Sequence, residues 1–397
     1  MILMNAKEIF YGKVALVIFL LFVGVYPAYS YLKYNHNFLS WFPFISVPFV
    51  LSAFYFIFFL DVLKNKKRGV FFWLALLLFF YGSFVAFFSL SSIYNVSPAL
   101  ALKSLASTVI QISCLLPLCL SFDRVHQYLS QDKRGFIYIS LLPLIVVVID
   151  GVFRGREVYG TWELYQQEGA PLVYLAMSDA FAVIGLLVYI YAVGLYKYFY
   201  LVVSLFGIYY TYSRSSLYFF IISIVVFEIF VKRNILFLFS SILGVCFLFV
   251  MAIFGSSSNS RFLVLLTDPW SDPSFVGRLN YFKEGMEVIS NNFIFGSYGY
   301  EILRDGDSGG YIHNLLSYWA AYGIAYFLIF LFIIVLVFIY IFCNLKFFRS
   351  NVYFHFPVLM FVYAFFSSLI SKAYVWPFLW FSLILVCSLD LLKKQDE

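Results

Sequence analysis

The chain has 397 residues, of which 63% are hydrophobic, 23% aromatic and only 12% charged. A water-soluble fold could not cover that much apolar surface, so the composition excludes a soluble domain and calls for a polytopic membrane protein. The net charge of +6 is not a nucleic-acid signal and no nucleic-acid partner is expected; what carries information is where the basic residues fall.

A helix needs roughly 20 apolar residues to cross the hydrocarbon core of a bilayer. On that ruler the sequence predicts spans near 14–32, 41–60, 70–90, 101–121, 135–153, 172–193, 196–212, 215–231, 234–254, 313–341, 353–370 and 375–392. The expected fold class is therefore all-α, a single transmembrane domain over 1–397 with about twelve helices. The first apolar run lacks a small-residue cleavage pattern and reads as a spanning helix, not a signal peptide. The weakest divisions are at 194–197 and 212–216, where the connections are very short. Five cysteines lie in or beside apolar runs without a CxxC, which supports neither a disulfide framework nor a zinc site.

Lysine and arginine set the expected orientation. With both termini cytoplasmic, sixteen of the 26 Lys and Arg residues fall on inner segments. Six of the ten outer ones are arginine, whose planar fork suits bidentate contact with phosphate oxygens. Two outer segments are long, 154–171 and 255–312. Within the second, Phe275, Leu279, Phe282, Met286 and Ile289 recur at helical spacing. Asp272, Pro273 and Ser274 supply a start signal and Asn291–Asn292 a stop. This helix is expected to lie on the outer surface with Arg278, Lys283 and Glu284 on its polar side.

The polar groups at the outer ends of the spans point to one chemistry. Ser213 is placed to cap the eighth span with Arg214 in its first turn. His313 and Asn314 fall at the predicted start of the tenth. Helix N-termini, arginines and one histidine together would receive an anion, and such a setting keeps an imidazole unprotonated. Outside a bacterial cytoplasm the energised sugar donors are lipid-linked, chiefly undecaprenyl-pyrophosphate glycans. Arginines aimed at the departing pyrophosphate would be worth ~3–4 kcal/mol each, and a positioned base roughly 10²–10⁴-fold. His313 is the candidate base, and no metal or other cofactor is expected.

YIHNLLSYWAAYG at 311–323, SRSS at 213–216, GRLNYFKEGMEVISNNFIFGSYG at 277–299 and REVYGTW at 156–162 together resemble the O-antigen ligase/polymerase family. The family's usual Asn-Pro is here Asn292-Phe293. The resemblance implies functional roles for Arg214, Arg278 and His313, and more loosely for Arg154 or Arg156. It implies a bacterial inner-membrane glycosyltransferase with a periplasmic site, polymerising lipid-linked repeat units. The alternatives are a ligase that moves the finished chain onto a lipid A core and, from another class, a flippase or transporter. Midplane charges in matched halves, usual in carriers, are not evident. Expected partners are the lipid-linked glycans, membrane lipids, and a chain-length regulator and flippase of the same pathway.

Further substrate contacts are expected from Asn314, Lys283, Arg304, Tyr311 and Tyr159, with Trp162 and Tyr298 also placed to stack on sugars. Several residues have competing roles. Arg154 could pair with Asp150 one helical turn earlier, and Asp179 could pair with an outer arginine. Asp305-Gly-Asp307 spells a DxD, but no nucleotide donor or distal calcium-loop glutamate accompanies it, and a hinge is the expected role.

Overall fold

The computed structural model describes residues 6–39, 41–58, 70–105, 109–130, 135–154, 173–211, 213–234, 268–306 and 309–389. Among these, the regular structure is helical throughout, and six helices are long and apolar enough to cross a membrane. They are Ile9–His36, Val70–Phe88, Tyr174–Tyr191, Arg214–Val231, Ile324–Cys343 and Val352–Ile370, joined by the shorter apolar helices Ser46–Ile57, Gln111–Leu120 and Pro377–Cys387. Gly135–Arg154 and Leu195–Tyr210 complete the bundle. The protein is thus an all-α membrane protein. Of the predicted ninth span, 234–254, all but Asn234 lies outside the described residues.

Packing sorts these helices into a centre and a rim. Val173–Tyr191 and Val352–Ile370 are largely enclosed, and every residue of Pro377–Cys387 is buried. Val70–Phe88 and Ile324–Cys343 instead turn Phe80, Phe84, Phe87, Leu328, Phe332 and Ile339 outward. In water such rows would be a large sticky patch, whereas against lipid tails their exposure costs little.

The polar side chains collect at two opposite ends. One end holds His126 bonded to Tyr191, and Glu228 between Lys197 and Lys232. The other holds Asp150 with Arg154, Asp272 with Arg214, and Asp179 with Lys372. The two short connections appear as expected, with Gly194 at φ 60° beginning Leu195–Tyr210, and Arg214 opening the next helix directly after a turn.

The helix predicted in the second long segment runs Pro273–Asn291, and we call it the arginine helix. Asp272 caps it, its Oδ1 accepting from the N–H groups of Ser274 and Phe275 at 2.8 and 3.3 Å. The apolar stripe divides: Ile289 is buried beside Tyr300, Ile312 and Ala320, while Phe282 and Met286 remain exposed.

The tenth span differs from expectation. It begins at Ile324, and His313 and Asn314 precede a separate seven-residue helix, Leu316–Tyr322. Gly323, at φ 83°, ends the short helix and redirects the chain. A β-carbon there would collide with the carbonyl of Ile294. Around this point Ser297 N–H donates to Ala320 O at 2.7 Å and Ile324 N–H to Phe293 O at 3.1 Å. Gly296, at φ 69°, lies against the backbone of residues 321–323. Two glycines thus let two main chains touch, which no other residue type would allow.

Candidate functional site

Arg214 stands at the first position of its helix, and its Nη1 donates to Asp272 Oδ2 at 2.5 Å. One carboxylate therefore caps the arginine helix with one oxygen and holds Arg214 with the other. Burial alone would raise the Asp272 pKa, but the Arg214 bond, its charge and the two backbone N–H groups hold it below the usual carboxylate range. Ser213 occupies the capping position by backbone only. Its hydroxyl donates to Ser216 Oγ at 2.9 Å and makes no capping bond as acceptor from a helix N–H.

Arg278 follows six residues after the cap, on the same helix. Burial lowers its pKa; nearby Tyr174 and Asp272 counter this, while Arg214 adds a like charge. A guanidinium nonetheless stays protonated at any working pH. The same guanidinium is felt by His313, together with Lys372. Burial and these two cations push the His313 imidazole down to about 3, so the ring is neutral. Its Nδ1 lies 3.3 Å from the carbonyl of Ser371. A carbonyl can only accept, so Nδ1 carries the hydrogen and Nε2 is left with its lone pair. Tyr311 and Tyr281 flank the ring, with centroids 5.0 and 6.2 Å away.

Arg214, Arg278, His313 and Tyr311 are therefore gathered at one end of the bundle. The other expected residues have different settings. Asn314 Oδ1 accepts from Leu316 N–H at 2.9 Å and so starts the short helix. Arg304 grips Asp305 through two nitrogens and Glu284 at 3.0 Å, and reaches Gly310 O at 3.2 Å. That clamp also occupies Asp305, the first half of the DxD; Asp307 lies outside the described residues. Lys283 is exposed on the arginine helix. Arg154 makes the intrahelical pair with Asp150 at 3.5 Å and meets His36 Nε2 at 3.1 Å. Arg156, Tyr159 and Trp162 lie outside the described residues. Tyr298 is buried against Ser104 and Tyr374.

Asp179 pairs with a lysine and not with an arginine. Lys372 Nζ lies 2.8 Å from Asp179 Oδ2, and Trp376 Nε1, Tyr363 Oη and Ser216 Oγ complete the carboxylate's shell. The sequence pattern alone does not single out Lys372. Its signal was the one that drew attention to the arginines, a cation on the side where positive charge is uncommon. Asp272 had a signal only as a helix start.

Two guanidinium groups can hold a diphosphate, and the neutral imidazole beside them can accept a proton from a hydroxyl. Residues 199–331, which contain Arg214, Arg278 and His313, match the family model described as O-antigen ligase. The match supports the O-antigen ligase/polymerase family, in line with the motif resemblance. No curated protein and no solved structure matches the chain.

Proposed function

With an O-antigen ligase-type domain over residues 199–331 as the premise, we propose that this protein is a glycosyltransferase of the bacterial inner membrane. It joins undecaprenyl-pyrophosphate-linked repeat units into a surface polysaccharide at the periplasmic face, with both its termini in the cytoplasm. The observation that carries this reading is the proximity of Arg278 to both Arg214 and His313.

In the reaction an acceptor hydroxyl attacks the anomeric carbon of the donor glycan. The C1–O bond to the pyrophosphate breaks, and its electron pair leaves with the lipid diphosphate. Arg278 and Arg214 absorb the charge that builds on the leaving group. The hydroxyl proton passes to Nε2 of His313, whose Nδ1–H is held toward Ser371. Cationic side chains supply the electrostatic stabilisation, so the reaction is metal-independent in this scheme.

The family description favours a second reading, in which the finished glycan moves to a lipid A core. Purified protein given synthetic lipid-pyrophosphate oligosaccharide alone distinguishes the two: laddered products mean polymerase, and products only after adding lipid A core mean ligase. Arg278→Ala and His313→Ala should remain folded in the membrane and lose the activity, Arg278→Ala by roughly 10²–10³-fold. Wild-type-length polysaccharide from either variant, or loss of activity with EDTA, would contradict the scheme.

A further inference from the structure

Glu301 lies in the Tyr300–Asp305 helix with its side chain 2% exposed. Its Oε1 accepts from Tyr374 Oη at 2.9 Å, and that same Tyr374 oxygen accepts the Gly299 N–H at 3.3 Å. Its Oε2 is buried without a hydrogen-bond partner among the described residues. An ionised carboxylate with one dry oxygen is badly solvated, whereas a protonated one needs far less. Burial accordingly raises the Glu301 pKa to about 7, against its own backbone N–H, the Tyr374 bond and the charge of Arg304.

The groups that face this carboxyl come from four elements. Its own helix supplies Tyr300, Arg304 and Asp305; the 309–315 loop supplies Tyr311; the short helix supplies Tyr322; and the segment after Val352–Ile370 supplies Tyr374. The Leu90–Val96 helix packs on the same side and offers only the exposed Tyr94. Arg304, the single cation of the set, is already neutralised by Asp305 and Glu284. Tyr311 is the link to the site: its ring lies 6.2 Å from that of Tyr374, the carboxyl's partner, and it feels the charges of both Glu301 and Arg278. Tyr311 in turn packs on His313.

We propose that Glu301 is a positioning residue whose proton is linked to occupancy of the arginine site: the carboxyl is neutral while a diphosphate sits at Arg214 and Arg278, and its ionisation weakens that binding. The inference rests on reading the arginine pair as a diphosphate site. A negative charge on Glu301 repels a second negative charge at the arginine pair, and the low-dielectric aromatic surround of Tyr311 and Tyr374 screens that repulsion little. Linkage is reciprocal, so a bound diphosphate strengthens proton binding at Glu301 by the same factor. The sign follows: binding weakens as pH rises through neutrality.

The test uses the full-length protein in detergent and farnesyl pyrophosphate as probe, with affinity measured near pH 6 and near pH 8.5. Glu301→Gln keeps the shape and an oxygen acceptor for Tyr374 but cannot ionise. Wild type should lose roughly threefold or more affinity at the higher pH relative to Glu301→Gln, with the two matching near pH 6. This ratio removes the probe's own ionisation. Equal pH ratios in the two proteins would overturn the linkage while leaving the diphosphate site standing. No binding at either pH would overturn both. Tyr374→Phe provides a second arm, since losing the donor to the carboxylate should move the wild-type transition to higher pH; an unmoved transition would count against the proposal. Infrared spectra of the unliganded protein should show a protonated carboxyl band near pH 6 that is absent in Glu301→Gln, and a matching spectrum in the two would also overturn it.

Discussion

His313 illustrates how a residue's role depends on what surrounds it. Protonating it would place a cation beside Arg278 and Lys372 in a half-buried setting, so its pKa falls from 6.5 to about 3. Between those two values an unfolded chain binds a proton at this ring and the folded chain does not. His313 therefore withdraws stability as pH drops below about 6.5, while its Nε2 stays available as a base. A pH–rate profile of the transfer should show no acid limb from His313 above about pH 4. An acid limb near pH 6 that disappears in a variant retaining activity with another base would contradict this. The residue types at the site were legible in the sequence, because cations on the sparsely basic side stand out. Their partners were not. Arg214 meets Asp272 across 58 positions and Lys372 meets Asp179 across 193, separations over which local pattern carries no information.

At the level of elements, the arginine helix was legible from end to end, since Asp-Pro-Ser and Asn-Asn encode a cap and a stop through local hydrogen bonds. The tenth span was misread for the opposite reason. Hydropathy runs without a polar interruption from Leu315 into Cys343, apart from Ser317, and a hydropathy count is blind to backbone angles. Gly323 was the mark of the break, meaningful only once the Ile294 carbonyl is known to lie beside it. Two glycine substitutions separate strain from collision. Gly306→Ala meets a positive φ of 69° but open space, and should cost about 1 kcal/mol. Gly323→Ala meets both a positive φ and a backbone carbonyl, and should cost ~3 kcal/mol or more or prevent folding. Thermal unfolding in detergent, with yield of monodisperse protein, measures the difference.

At the scale of the whole bundle, one buried ion pair joins two of its central elements. Asp179 and Lys372 are 5% and 8% exposed and tie Val173–Tyr191 to the turn between Val352–Ile370 and Pro377–Cys387. Lys372→Met alone leaves a buried carboxylate with its cation gone and should cost about 3–5 kcal/mol, whereas Lys372→Met with Asp179→Asn should recover much of it. Comparable melting of the single and double variants would contradict this role of the pair. Orientation is tested on Ser290→Cys in a cysteine-free background: Ser290 is exposed on the arginine helix, and an impermeant thiol reagent should label it from the periplasm. Labelling only in inverted vesicles would reverse the proposed topology. The main-chain hydrogen bonds that cross at Gly296 and Gly323 have one more consequence. They moor the segment after the arginine helix to the lipid-facing span that starts at Ile324, so a tilt of that span in a thinner or thicker membrane should shift the depth of Arg214 and Arg278. Under the proposed reaction, the rate of transfer would then depend on the bilayer's thickness as well as on the polypeptide.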